Sequence, residues 1–370
     1  MRIFYYLSAY ISHRLAGLEY IACLRALGHE VVCNYPDLPD RGGGGLETGA
    51  ERSGLDFVFE AELADRARRA DLFIVHEDPY FYEELLSLLP DLRQNPPVFY
   101  LPWENEELPQ AWRPPLSMAS GIWTCSEFSR QALSRVCGHT EVLPHVVRRP
   151  KAMPADLDWG RNLLKRHGAE GATLFLSVMD GANPRKNLSG LLAAFKLLCR
   201  ESRHPVRLLL KQYRVSLPLE DYPEVVNIME MLNAGRMAAL HILSDAYVSP
   251  HHAEGWGLSL SSAMALGKTV IATGYSGNLE FMSHENSLLL PYKMVQVSRE
   301  MTERIPLFQP EMRWADPDLS ALLQAMRQVA EGRVPPELNR KAAGITERFG
   351  PERICLRLKE LLERAVASRA

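Results

Sequence analysis

The stretch from Ser244 to Met282, SDAYVSPHHAEGWGLSLSSAMALGKTVIATGYSGNLEFM, constrains the fold more than any other part of the chain. Ala246 to Ser249 is a short run of small and apolar residues suited to a buried strand, and Pro250 ends it. A polar loop follows, then a helix that Ser259 can cap and that runs to about Leu266, with Gly267 as its stop. Thr269 to Ala272 forms a second buried strand, and Thr273 to Asn278 a second glycine-containing loop. Strand, loop, helix, strand and loop in so short a span predict a parallel α/β unit. Such units bind ligands in the crevice at the carboxyl ends of their strands.

The chemistry of the stretch sits in its first loop. Glu254 precedes Gly255-Trp256-Gly257-Leu258-Ser259. The two glycines let backbone come close to a ligand, and a helix start offers N–H groups and a positive dipole end, which suit a phosphate. Upstream, Asp180 to Leu188 leads from a strand, Thr173 to Val178, into a helix through Phe195. Arg185 and Lys186 stand at the start of that helix, where cations oppose the dipole unless an anion is present. A charge-assisted pair of contacts to a diphosphate is the chemistry they fit. Lys211 follows the strand Arg207 to Leu210, again on the ligand side. Read without a ligand, the glycines are turns, Glu254 is a solvated loop carboxylate and Lys211 a surface lysine.

The first half of the chain repeats the α/β pattern. Arg2 to Leu7 is strand 1, Ser8 to Gly17 a loop, Leu18 to Leu27 a helix closed by Gly28, and His29 to Cys33 strand 2. Further strands are expected at Leu72 to Val75, Val98 to Leu101, Gly121 to Cys125 and Glu141 to Leu143. His76 stands at the carboxyl end of one of them, on the ligand side of the sheet. Trp103-Glu104-Asn105-Glu106-Glu107 is either a sugar-binding loop, with carboxylates for hydroxyls and an indole for a ring face, or an acidic loop anchored by one Trp. Ser126 caps a helix to Val136. There is no GxGxxG fingerprint, and Gly42 to Gly45 lack the following Gly-Lys-Ser/Thr of a phosphate loop, so they read as a loop only. Ala61 to Arg69, with Arg66, Arg68 and Arg69, is a polar helix.

At 370 residues the chain is long enough for two domains. Arg148 to Pro154, with two prolines and no periodicity, is the linker, dividing residues 1–150 from 151–335; the amphipathic segment in 336–370 forms terminal helices. The net charge of -3 supplies no global attraction to nucleic acid. The N-terminal MRIFYYLSAY lacks the long apolar core and cleavage site of a signal peptide, and no run of about 18 apolar residues occurs, so neither a leader nor a membrane span is expected. Six cysteines at no metal-ligand spacing are expected to be free thiols in a reducing cytoplasm.

The Glu254 stretch, with Pro184-Arg185-Lys186 before it, resembles the donor-site signature of the retaining glycosyltransferases of family 4. The resemblance covers most of the chain, is specific from Val178 to Met282, and extends to the Ser126-Glu127-Phe128-Ser129 element. Trp103 to Pro109 is similar to a segment of a subgroup acting on bacterial surface polysaccharides. The resemblance implies a GT-B fold, with two facing Rossmann-like domains and a deep interdomain cleft. It implies an N-terminal acceptor domain, a C-terminal donor domain, and a terminal helix crossing back to the first domain.

It further implies transfer of a hexose, with retention, from a nucleotide diphosphate sugar to a glycan or lipid-linked acceptor. Glu254 and His76 would contact the sugar, Arg185 and Lys186 the diphosphate, and Gly17 would lie near the phosphates. Gly255, Trp256, Gly257, Leu258 and Ser259 would line the nucleotide, with Lys211 neutralising phosphate. The family's second Glu falls on Ser262 and a further Arg on Met179, two departures from the pattern. No Asp-x-Asp motif fits, so neither metal nor other cofactor is expected, and a lipid-linked acceptor would place the protein at the inner membrane face. The alternatives are a non-catalytic GT-B protein that binds a nucleotide or glycan, or partners an active transferase, and an epimerase or phosphorylase of the same fold.

Overall fold

A computed structural model describes residues 1–8, 10–34, 64–65, 67–213 and 217–367. The glycine run Gly42 to Gly45 and Arg66 lie outside them. Two compact units divide the chain: Met1–Val146 with Phe349–Ala370, and Val147–Arg348. The division therefore falls at 146 and 348 rather than at 150 and 335, and residues 336–348 group with the second unit.

Among the described residues the first unit holds six strands: β1 (Arg2–Leu7), β2 (Glu30–Cys33), β3 (Leu72–His76), β4 (Val98–Tyr100), β5 (Gly121–Thr124) and β6 (Thr140–Val142). They form one sheet in the order β2-β1-β3-β4-β5-β6, parallel throughout. Near-continuous apolar runs such as Ile3 to Leu7 and Leu72 to Val75 are buried on both faces, as covered parallel strands require. The order reverses between β1 and β3, so their carboxyl ends mark this unit's topological switch point.

One expectation fails here. The segment after β1 is not a loop as far as Gly17: the helix starts at Ile11 and runs to Ala26. Its first turns carry His13, Arg14 and Gly17, which blur the apolar period, so the start was invisible to periodicity. Gly17 is buried at mid-helix. A Cβ there would stand 2.3 Å from Leu7 Cδ1 and 3.0 Å from His76 Nδ1, so the glycine lets the helix pack closely on the sheet.

The terminal helix Pro351–Ala367 packs on the helix Ile11–Ala26 with Ile354, Leu358, Leu361 and Leu362 buried. A disulfide joins Cys23 to Cys355, 332 residues apart in sequence. The expectation that every cysteine is a free thiol is thereby corrected; Cys33, Cys125, Cys137 and Cys199 form no disulfide. Arg357 and Arg364 on this helix both pair with Glu141, which follows Thr140 in β6.

The second unit holds β7 (Thr173–Met179), β8 (Val206–Gln212), β9 (Val225–Ile228), β10 (Ala246–Ser249), β11 (Thr269–Thr273) and β12 (Leu288–Leu290). The sheet order is β12-β11-β10-β7-β8-β9, again all parallel. Its switch point lies between β7 and β10. The helix Leu188–Glu201 covers one face, burying Leu191, Leu192, Phe195 and Leu198 against Phe175, Leu208 and Leu210. Met179 is 1% exposed in that same core, which is why an apolar residue stands there.

A feature the periodicity did not predict follows β12. Strands β13 (Tyr292–Gln296) and β14 (Arg313–Pro317) form an antiparallel pair, with a short helix, Arg299–Arg304, between them. Asp318 then caps the helix Leu319–Ala330 through the Ser320 and Ala321 N–H groups. No helix among the described residues is long and apolar enough to cross a membrane.

Candidate functional site

Three loops of the second unit meet where its sheet reverses order. The first, after β7, makes a single tight turn over Pro184–Lys186, so the two cations precede the helix Leu188–Glu201 rather than begin it. Asn187, at φ 55°, caps that helix by accepting the Gly190 N–H, and its amide donates to the Pro250 carbonyl at 2.9 Å. The second loop, after β10, is tied to the first: His252 N–H donates to the Arg185 carbonyl at 2.8 Å. Arg185 Nη1 donates to the Ala253 carbonyl at 2.6 Å.

This zipper brings the predicted acid and both predicted cations together. Arg185 Nη1 is 3.3 Å from Glu254 Oε2, and Lys186 Nζ bonds Glu254 Oε1. Glu254 is 7% exposed and Arg185 9% exposed. Burial pushes the Glu254 carboxyl up, but the opposed charges of Lys186 and Arg185 outweigh it and hold the group at about 2. Glu254 is therefore a buried carboxylate at neutral pH, not a solvated loop residue.

The third loop, after β11, holds the Glu254 backbone. Ser276 Oγ accepts the Glu254 N–H at 2.8 Å, and the Gly277 N–H donates to the Glu254 carbonyl at 2.8 Å. The two backbones touch: a Cβ on Gly277 would lie 1.8 Å from the Gly255 oxygen. Ser276 itself sits at φ 77°, ψ -149°, a region almost confined to glycine, which costs a residue with a Cβ about 1–3 kcal/mol.

Beneath the loop, Asn278 donates to the Thr273 carbonyl at 3.0 Å, which orients its amide so that Oδ1 faces His251 Nε2 at 3.2 Å. His251 Nε2 then carries the proton and Nδ1 accepts from the Ser249 hydroxyl at 3.1 Å. Burial lowers the His251 imidazole to about 4, so it is neutral near pH 7. His252 stacks on Trp314 with centroids 4.5 Å apart and donates from Nδ1 to the Ala315 carbonyl, joining β14 to the site. His251, His252, Ser276 and Asn278 were not singled out in the sequence. A histidine pair after a strand end and a serine before Gly277 were the only signals available.

The remaining expected residues fall as follows. The helix after Gly257 is Leu258–Ala265, with Gly257 at φ 92° as its N-cap and no side chain capping it. Ser259 is thus in the first turn and not the cap, because the left-handed glycine turns the chain into the helix two residues sooner. Trp256 is buried, its ring on Phe281 at 4.7 Å and its Nε1 donating to Ser261, so it supports the loop from within. Ser262 is half-buried, one turn into the helix. Lys211 is not on the surface: β8 continues through it, and its buried ammonium donates to the Gln212 carbonyl.

In the first unit, His76 and Gly17 lie together. His76 is fully buried, with Nδ1 bonded to the Tyr5 hydroxyl at 2.9 Å and its ring against Tyr100 and His13. Burial, and then the nearby His13 and His145, hold its imidazole well below the usual range. His76 is thus a buried residue at a strand end whose Nε2 has no hydrogen-bond partner among the described residues. Glu77, next to it, accepts from the Ser8 hydroxyl at 2.8 Å and the Asp78 N–H at 2.9 Å. Trp103 packs on Trp112 at 4.4 Å and is buried, so the anchoring role holds for its indole. Among the described residues, no three His, Cys, Asp or Glu side chains gather in a way that would hold a metal ion.

Residues 162–303, which contain the whole three-loop site, match the sequence profile of Glycosyl transferases group 1. No curated protein sequence matches the chain. Similar solved structures span its full length. HepE of Anabaena, in complex with UDP and glucose, is 15% identical, covering 98% of this chain and 100% of that one at a TM-score of 0.61. The sucrose-phosphate synthase of Thermosynechococcus elongatus is 18% identical, with 100% of each chain covered and a TM-score of 0.65. A glycosyltransferase of Rickettsia africae is 13% identical, with 99% and 98% covered and a TM-score of 0.65. The chain therefore has the GT-B fold, and its residues 162–303 carry the likeness to glycosyl transferases group 1.

Proposed function

We propose that the chain is a retaining glycosyltransferase that moves a hexose from a nucleotide diphosphate sugar, UDP-linked in the first instance, to a hydroxyl of a glycan or lipid-linked acceptor. The observation that carries this reading is the buried grouping of Arg185, Lys186 and Glu254 at the switch point of the second sheet. In the reaction, the bond from the anomeric carbon to the diphosphate breaks and a bond to the acceptor oxygen forms on the same face. The acceptor's proton leaves with the nucleoside diphosphate.

Negative charge grows on the departing phosphate, and cations fixed in a dry site stabilise such charge most effectively. Arg185 and Lys186 supply them, aided by the uncapped first turn at Leu258 and Ser259. Glu254, an anion at neutral pH, accepts hydrogen bonds from the sugar's hydroxyls. The matched segment and the UDP-bound relatives of the same fold support the donor class. Two protein cations take the part a divalent metal would otherwise play, so the reaction is expected to survive a chelator.

The test is incubation with UDP-, GDP- and ADP-sugars, with and without a chelator, following released nucleotide and the anomeric configuration of the product by NMR. Release from one nucleotide class, lost in Glu254→Ala and unaffected by chelator, is expected. Binding without release or transfer to any acceptor would favour a non-catalytic nucleotide-binding partner, the reading that the departures at Met179 and Ser262 motivate.

A further inference from the structure

Ser276 stands out because its backbone and its residue type disagree. At φ 77°, ψ -149° the chain occupies a region that glycine adopts freely and serine does not. Glycines flank it closely, at Gly274 and Gly277. A position with this geometry is best served by glycine unless the side chain performs a task. The one seen here is specific: Ser276 Oγ accepts the Glu254 N–H at 2.8 Å while donating to the Tyr275 carbonyl at 2.6 Å. Ser276 is 3% exposed, so the Glu254 N–H has a fixed acceptor in place of water.

Resting on the donor-site reading above, we propose that Ser276 is a positioning residue for Glu254. Its hydroxyl fixes the peptide before Glu254 and the Gly277 N–H fixes the peptide after it, so the direction of the Glu254 side chain is set by the loop after β11. The ion pairs with Arg185 and Lys186 do not suffice for this. A diphosphate would draw both cations toward itself, and the carboxylate would then be held in the direction of the sugar by its backbone alone. Strain at Ser276 is retained because the hydroxyl sets this direction.

The proposal separates stability from sugar recognition. Ser276→Gly removes the strain and the hydroxyl together; Ser276→Ala keeps the strain and loses the hydroxyl. Thermal denaturation with calorimetric titration of UDP and UDP-glucose reads both effects. For Ser276→Gly, Tm is expected to stay level or rise by up to about 4 °C. Its UDP affinity should stay within about twofold of wild type, while the extra affinity for UDP-glucose over UDP falls by roughly tenfold, the order of one oriented hydrogen bond. Ser276→Ala should lower Tm and show the same loss toward UDP-glucose.

Wild-type binding of both ligands with no change in Ser276→Gly would overturn the proposal while leaving the donor-site reading intact. So would equal weakening of both ligands, the mark of a merely structural role. Failure of wild type to bind UDP or UDP-glucose would overturn the donor-site reading and this inference together.

Discussion

Glu254 and Glu77 are both buried carboxyls at the carboxyl ends of parallel strands, yet their charges are expected to differ. Two cations hold Glu254 at about 2, whereas no cation among the described residues pairs with Glu77 and burial raises it to about 7. The hydrogen bonds from Ser8 and the Asp78 N–H only moderate that rise. A group raised in the folded state contributes its stability fully below its ordinary value of 4.5 and loses it as pH climbs through about 7. Glu77→Gln keeps the acceptor oxygen and removes the charge. Thermal denaturation should find it matching wild type at pH 4.5 and exceeding it at pH 8 by up to about 3 kcal/mol. A constant difference across that range would show that Glu77 does not titrate as the structure implies.

At the scale of elements, most strands were legible because parallel strands covered on both faces are short apolar runs: β1, β3, β7, β10 and β11, for example, match the expected runs to within a residue. Arg185, Lys186 and Glu254 were legible for a related reason, since loops after neighbouring strand ends converge. Their mutual ion pairs were not, because spacing along a chain does not say which side chains meet. The Ser276 backbone and the β13–β14 pair were equally hidden: each is set by contacts from distant segments and not by local pattern. The union of Cys23 with Cys355 is the extreme case, made by the packing of two helices at opposite ends of the chain. That disulfide staples the terminal helix to the first unit and should contribute about 2–4 kcal/mol. Peptide mapping after alkylation should recover the linked pair, and reductant or Cys355→Ser should lower Tm. Recovery of both cysteines alkylated without reduction would refute the staple.

For the molecule as a whole, the proposed function requires the second unit to hold a nucleotide diphosphate through Arg185 and Lys186, the cations that pair with Glu254 in the free protein. Both sheets reverse order once, and in the second unit the reversal coincides with the segment that matches glycosyl transferases group 1. The most direct measurement is calorimetric titration of UDP into wild type and Arg185→Ala/Lys186→Ala without added metal. Binding by wild type that weakens at least about a hundredfold in the double variant, as expected on losing two charge-assisted contacts, is the predicted result. Equal UDP affinity in the two proteins would contradict it, and the anion site would then have to lie elsewhere.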